Sequence, residues 1–194
     1  KPDGEFTPDA AQGQVLAYKK LIDIKQDQGT GDVANIESKG DGGTPAEKPL
    51  PESHVKFIKA CDLYSKFVKE SEYLVDIEYD AARIYYDFNH FKEAMPRFKN
   101  ISEKHPEHRL AVFAANLLLD GYNLTGDMDA LEKQVDVFLK IYTPQRDPEF
   151  YALLTKLKQQ SSFKKCQGIE RTKEWVRAAT CFKQYAANYP QSEF

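Results

Sequence analysis

The sequence predicts an all-α protein, an α-solenoid in which antiparallel helix hairpins stack side by side into a superhelix. From residue 52 nearly to the end, apolar residues recur at the three- and four-residue spacing of one helix face. No stretch of this region alternates with a period of two for long enough to form a strand. The breaks between the apolar stripes are short, which favours antiparallel hairpins. An internal repeat, described below, predicts that these hairpins stack.

The chain of 194 residues divides into three parts. Residues 1–28 carry the pattern of one N-terminal helix, for which Thr7-Pro8 is a suitable start. The apolar face of that helix is formed by Ala11, Val15, Tyr18 and Ile22. Residues 29–51 are rich in glycine and proline and are predicted to be a linker or insertion. Residues 52–194 form the repeat domain, and because its first helix lacks an adjacent partner, we expect the N-terminal helix to supply one.

Short interruptions predict where the later helices end. They are Asn89-His90, His105-Pro106, Thr125-Gly126-Asp127, Thr143-Pro144 and Gly168. Pro96 lies within a predicted helix, where proline costs about 3 kcal/mol. We therefore expect that helix either to begin near Lys92 or to bend at the proline.

The repeat consists of an aromatic residue, an alanine three residues later and a second aromatic residue four residues after that. Its three copies are Phe57/Ala60/Tyr64, Phe91/Ala94/Phe98 and Trp175/Ala178/Phe182. Alanine allows two helices to approach closely, and the second aromatic residue lies one turn further along the same face. In the second and third copies a proline, Pro106 or Pro190, follows eight residues later and stops the helix. Each hairpin then has an apolar face that a neighbouring hairpin covers.

This pattern resembles the tetratricopeptide repeat over about residues 52–192. The signature spacings are matched by Ala82, Tyr85, Ala94, Phe98 and Pro106, and in the closing copy by Cys166, Trp175, Ala178, Phe182 and Pro190. The resemblance implies a right-handed superhelix whose concave groove is lined by the first helix of each hairpin. It also implies a non-catalytic scaffold that binds a segment of a protein or peptide partner in this groove.

Three segments are similar to repeat proteins of bacterial envelopes. They are residues 79–120, 98–105 and 182–192, of which the first is similar to deltaproteobacterial proteins, including some of the myxobacterial gliding machinery. This similarity implies a periplasmic or outer-membrane-associated scaffold, within a gliding-motility or envelope assembly complex. Contact with a membrane would be indirect or through an anchor outside this chain. The alternatives are a client-binding factor in outer-membrane protein or lipoprotein assembly or transport, and a cytoplasmic location.

The residues that flank the small packing residues of the first helices are expected to face the groove. They are Tyr79, Arg83, Tyr86, Asn116, Asp120, Asn123, Phe163 and Gln167. Tyrosine and arginine commonly dominate interface energies, so Tyr79, Arg83 and Tyr86 are the main candidates. The alternative for Tyr86 is a position in the core. The Lys and Asn of the chaperone-tail clamp in some cytosolic relatives are replaced here by Tyr79 and Arg83, so that activity is not expected.

Composition and motifs argue against other functions. The net charge of −3 does not suit a phosphate backbone, so nucleic acid is not expected as the main partner. No apolar run approaches the roughly 20 residues that span a bilayer. His105 and His108 flank a proline without a nearby third ligand, which favours exposed turn residues over a metal site. With every helix used in the stack, we expect no enzyme activity, cofactor, metal or small-molecule substrate.

The three cysteines leave two interpretations open. Cys61, Cys166 and Cys181 each fall on a predicted helix among apolar residues, where all three would be small buried hydrophobic residues. Alternatively, Cys166 and Cys181 pair across two antiparallel helices, which would require an oxidising compartment.

Overall fold

The computed structural model of the protein describes residues 7–22 and 44–194, and every regular element in these ranges is an α-helix. The helices are α1 Thr7–Ile22, α2 Glu52–Phe67, α3 Leu74–Asp87, α4 Phe91–Lys104, α5 Ala111–Thr125, α6 Met128–Ile141, α7 Pro148–Arg171 and α8 Trp175–Asn188. The all-α prediction is therefore confirmed. The part of the predicted N-terminal helix beyond Ile22, and most of the predicted linker, lie outside the described residues.

The described chain forms two compact units. Unit 1 contains α1 to α5, within residues 7–22 and 44–125, and unit 2 contains α6 to α8, within residues 126–194. In both units each helix packs against the next helix in the sequence, and in unit 1 α3 also contacts α5. This sequential packing is what short connections between amphipathic helices favour.

The core of unit 1 begins where α1 packs on α2. Ala11 and Val15 of α1 are buried against Phe57, Ala60 and Tyr64, the first copy of the repeated motif. Tyr18 and Ile22 pack against the same cluster. The apolar face predicted for the N-terminal helix is confirmed, and α1 is the packing partner expected for α2.

The α3–α4 turn is bound by the segment that precedes α2. The backbone N–H of Lys48 donates to the carbonyl of Phe88 at 2.9 Å, and the side-chain amide of Asn89 donates to the carbonyl of Ala46 at 2.8 Å. His90 Nε2 lies 2.8 Å from the carbonyl of Lys48. Asn89 adopts a left-handed conformation with φ 64°, which asparagine tolerates better than most residues. The turn is thereby fixed on the end of α3.

Pro96 lies in the second turn of α4, which begins at Phe91 and continues to Lys104. Proline has no N–H to donate to the carbonyl four residues earlier, so one bond of the first turns is missing. Phe91, Ala94 and Phe98 are nevertheless all buried. Tertiary packing on this face offsets the local cost.

One predicted helix break is wrong. Gly168 lies inside α7, which continues to Arg171, and the turn into α8 is made instead around Lys173, with a φ of 62°. A single glycine costs a helix only about 1 kcal/mol relative to alanine, which packing along a long hairpin exceeds. The breaks at Asn89, His105, Gly126 and Thr143 all separate helices as predicted.

A disulfide joins the two helices of the last hairpin. Cys166 of α7 and Cys181 of α8 are bonded, with their Cα atoms 5.4 Å apart. The interpretation of three unpaired buried cysteines is therefore wrong for these two, because the antiparallel hairpin brings them face to face. Cys61 remains a free, buried thiol in unit 1, and burial raises its pKa well above the usual range.

Candidate functional site

The main predicted groove residues lie on one face of α3. Tyr79, Arg83 and Tyr86 are spaced by four and three residues, which places them on consecutive turns of the same helical face. Behind them, Ala81 and Ala82 are fully buried, so α3 packs its small residues inward. The sequence spacing therefore determines which side of α3 carries these polar and aromatic groups.

Tyr79 is only 5% exposed and belongs to the core side of this face. Its ring contacts the Phe98 ring with a centroid separation of 5.7 Å. Its hydroxyl is buried beside the Arg83 side chain. Burial raises the pKa of Tyr79, although the charge of Arg83 opposes this shift. Tyr79 therefore has a packing role beneath the site, and its ring is not exposed at the surface.

Arg83 is the cation of the site. Its Nε donates to Asp87 Oδ1 at 2.8 Å, one turn further along α3, and 27% of its side chain is exposed. Sequence reasoning missed Asp87, although an acidic residue four positions after an arginine on a helix is a recognisable pairing signal. This ion pair orients the guanidinium of Arg83 on the face of α3 that also carries Tyr79.

Tyr86 links α3 to α5. Its hydroxyl donates to Asp120 Oδ2, and its ring contacts those of Phe91 and Phe98 at 5.4 and 6.0 Å. Burial, together with the hydrogen bond to Asp120, raises the pKa of Tyr86 well above the usual tyrosine range. Tyr86 is partly buried, so it combines packing with a polar contact between the two helices.

Asn116, Asp120 and Asn123 form a polar stripe along α5. All three are partly buried, and they are spaced by four and three residues. The side-chain oxygen of Asn116 is buried and, within the described part of the chain, accepts no hydrogen bond. The six predicted residues on α3 and α5 therefore lie on two helices that pack together, joined by the Tyr86–Asp120 bond.

Phe163 and Gln167 do not share a unit with the residues on α3 and α5, because both lie on α7 in unit 2. The Phe163 ring contacts Phe182, Tyr185 and Phe194 at centroid separations of 5.6, 5.3 and 6.1 Å. These contacts give Phe163 a packing role between α7 and α8. Its aromatic neighbours are two residues of α8 and Phe194, a combination that helical spacing on α7 does not reveal.

Among the described residues, no three His, Cys, Asp or Glu side chains lie close enough together to hold a metal ion. His108 Nε2 lies 3.5 Å from Asp76 Oδ2, and neither His105 nor His108 belongs to a described group of three such side chains. None of the helices in residues 7–22 and 44–194 is both long and apolar enough to cross a membrane.

The fold and the face on α3 and α5 define the class of protein: an all-α chain of sequentially packed helices with a polar, aromatic surface on one helix pair. No family model, curated protein or solved structure matches the chain.

Proposed function

We propose that the chain is a tetratricopeptide-like, non-catalytic interaction scaffold that binds a segment of a partner protein on the α3–α5 face. This proposal rests on the side chains that the α3–α5 face carries. Tyr86 and Asp120 join the two helices, Arg83 is 27% exposed on the same face of α3, and the polar side chains of Asn116 and Asn123 continue this face along α5.

A cation, a carboxylate and amide side chains on two neighbouring helices suit the amide and carbonyl groups of an extended segment. In this proposal the hairpins continue into a right-handed superhelix and the α3–α5 face forms part of its concave groove. Asn123, partly buried at the end of the same stripe, borders the groove.

The disulfide supports a location outside the cytoplasm. Cys166–Cys181 requires an oxidising compartment to persist, which favours the bacterial periplasm over a reducing cytoplasm. We therefore place the scaffold in the cell envelope, within a motility or assembly complex. The alternative, a client-binding factor for outer-membrane proteins or lipoproteins in transit, would use the same face for many weakly bound segments.

Affinity purification of the tagged chain from its source cells tests the proposal with a matched pair of variants. Arg83→Glu reverses the charge of the site, whereas Arg97→Glu reverses an arginine of nearly equal exposure, 29% against 27%, that pairs with Asp62 at 2.7 Å on another face. We expect a stoichiometric partner that is lost with Arg83→Glu and retained with Arg97→Glu. Circular dichroism confirms that both variants fold.

The outcomes separate the candidates. If Arg83→Glu retains every partner, the assignment of the α3–α5 face is wrong. If the chain instead captures many peptides weakly and without fixed stoichiometry, the client-binding factor replaces the scaffold.

A further inference from the structure

Unit 1 contains a cavity that is separate from the proposed binding face. It has a volume of about 670 Å³ and is bounded by α1, by the start of α3 and by the loop between α4 and α5. This volume lies within the range of about 300–1,000 Å³ that is typical of ligand pockets. None of the predicted groove residues lines the cavity, so it is a separate feature of unit 1.

Carboxylates line the α3 side of this cavity. Glu72, Asp76 and Asp80 are spaced by four residues each, along the same edge of α3 and the turn before it. Asp80 pairs with Lys19 of α1 at 2.5 Å, and Asp76 pairs with Arg109 from the α4–α5 loop. The exposed Glu72 is paired with no lysine, arginine or histidine of the described residues, and its carboxylate interacts with the hydroxyl of the neighbouring Tyr73.

The charges of the cavity are therefore unequal. Three carboxylates face two permanent cations, Lys19 and Arg109, and the surplus negative charge lies at Glu72. Asp76 is also approached by His108, whose Nε2 is 3.5 Å away. A further cation bound in the cavity would therefore complement the negative charge of Glu72.

Apolar groups line the same cavity. Leu16 of α1 is 53% exposed and Tyr73 is 50% exposed, while Val15 and Ile77 are buried. A half-exposed leucine and a half-exposed tyrosine in the lining can contact an aliphatic stem. The face of the Tyr73 ring is an additional site for a planar cation.

We infer that this cavity binds an arginine-bearing segment of a partner protein, with the guanidinium at Glu72 and Tyr73 and its stem against Leu16. Arginine fits this combination better than lysine, because its planar guanidinium stacks on aromatic rings and forms paired hydrogen bonds to a carboxylate. The volume accommodates neighbouring residues of the segment as well. The inference goes beyond the α3–α5 face and does not depend on that face binding anything.

Methyl NMR on the whole chain tests the inference with a defined probe. The probe is the N-acetylated, C-amidated peptide Ala-Arg-Leu-Ala, and the control is the same peptide with citrulline in place of arginine, which keeps the shape and removes the charge. We expect the arginine peptide to shift the methyl signals of Val15, Leu16 and Ile77 in a saturable manner. The citrulline peptide should bind at least about tenfold more weakly.

A pair of variants adds a second check. Glu72→Lys places a cation at the proposed guanidinium site and should weaken the arginine peptide at least about tenfold, since like charges are brought together. Glu93→Lys changes an exposed glutamate on α4, away from the cavity, and should leave binding unchanged. Both glutamates are exposed, so neither change threatens folding.

Three results would overturn the inference. They are equal binding of the citrulline peptide, signal changes confined to residues outside the cavity, and no saturable change at millimolar peptide. None of these results bears on Arg83, so the proposed function of the α3–α5 face is judged separately.

Discussion

Two copies of the same motif, one in each unit, differ in what covers them. In unit 1, α3 and α5 both pack on α4, and Phe91 is only 4% exposed. In unit 2, α7 packs on α8, Ala178 is buried, and Trp175, at the position equivalent to Phe91, is 62% exposed. The motif thus fixes which side of a helix meets its hairpin partner. Complete burial of the first aromatic residue, as at Phe91, also requires a second helix packed against the one that carries it.

The disulfide joins α7 to α8, a helix that buries few of its residues. Among the residues of α8, Ala178 and Tyr185 are buried, whereas α4 buries a continuous face. Cys166–Cys181 joins α8 to α7 covalently. Both units have an apolar core, and unit 2 adds a covalent bond that unit 1 lacks, because Cys61 is unpaired.

The largest effect is expected from removing the second aromatic residue of the motif. Phe98→Ala leaves a cavity in a fully buried site and should lower the free energy of unfolding by about 3–5 kcal/mol. Phe182→Ala, at the equivalent but partly exposed position, should cost only about 1–2 kcal/mol. Denaturant unfolding followed by circular dichroism measures both, and equal losses would contradict the comparison.

Breaking the disulfide should destabilise unit 2 selectively. The two cysteines are 15 residues apart, and a loop of that size contributes about 3 kcal/mol in the chain-entropy description. The single tryptophan, Trp175, lies in α8, so its fluorescence reports the unfolding of unit 2.

We expect Cys166→Ala/Cys181→Ala, and reductant acting on the unchanged chain, to move this fluorescence transition to lower denaturant by the same amount. Hydrogen exchange in α2 to α5 should stay unchanged. An unaltered Trp175 transition would show that α8 does not depend on the disulfide.

Tyr86→Phe tests the bond between α3 and α5. Losing the hydroxyl leaves Asp120 without this donor and should cost about 1–2 kcal/mol near neutral pH. Because burial and the Asp120 bond raise the pKa of Tyr86, the folded chain keeps a proton that the unfolded chain loses above about pH 10.

The stability that Tyr86 contributes is therefore present below the ordinary tyrosine pKa and is lost as the pH rises above it. Unfolding measured at about pH 8 and again at about pH 11 should show a larger loss for the unchanged chain than for Tyr86→Phe. Identical losses in the two proteins would mean that the hydroxyl is not held as described.

The smallest contrast concerns two helical glycines. A Cβ at Gly168 in α7 would meet no atom within 4 Å, so Gly168→Ala should stabilise unit 2 by about 0.5–1 kcal/mol. A Cβ at Gly121 in α5 would lie 3.0 Å from Met95 Cγ and Sδ, so displacement of Met95 should offset that gain. Thermal unfolding distinguishes the two, and an equal increase in Tm would show that α4 and α5 are not closely packed.

Local spacing was sufficient for most of the fold. The apolar face of α1 and the turn at Asn89 follow from periodicity and from residues that disfavour helix, which are properties of a few neighbouring positions. The helix break predicted at Gly168 was wrong because the packing of a long hairpin outweighs one residue that disfavours helix. The choice between free and bonded cysteines needed the geometry of α7 and α8, which spacing within one helix does not supply.

The candidate site, like the fold, was predictable from local spacing only in part. Tyr79, Arg83 and Tyr86 share a face by spacing, and the Tyr86–Asp120 bond joins residues that are 34 apart, which is the shift between the first two copies of the motif. The burial of Tyr79 depends on Phe98, and the Lys19–Asp80 pair joins residues 61 apart. Such contacts depend on tertiary packing and on no local pattern.

The measurement closest to the central claim is site-specific photo-crosslinking in the source cells. A benzophenone amino acid at Asn123 would stand at the edge of the α3–α5 face, and one at Lys99, whose side chain is 48% exposed on α4, would stand on another surface. The account predicts one discrete adduct with a partner protein from position 123 and none from position 99. Adducts from position 99 alone, or equal adducts from both, would contradict it.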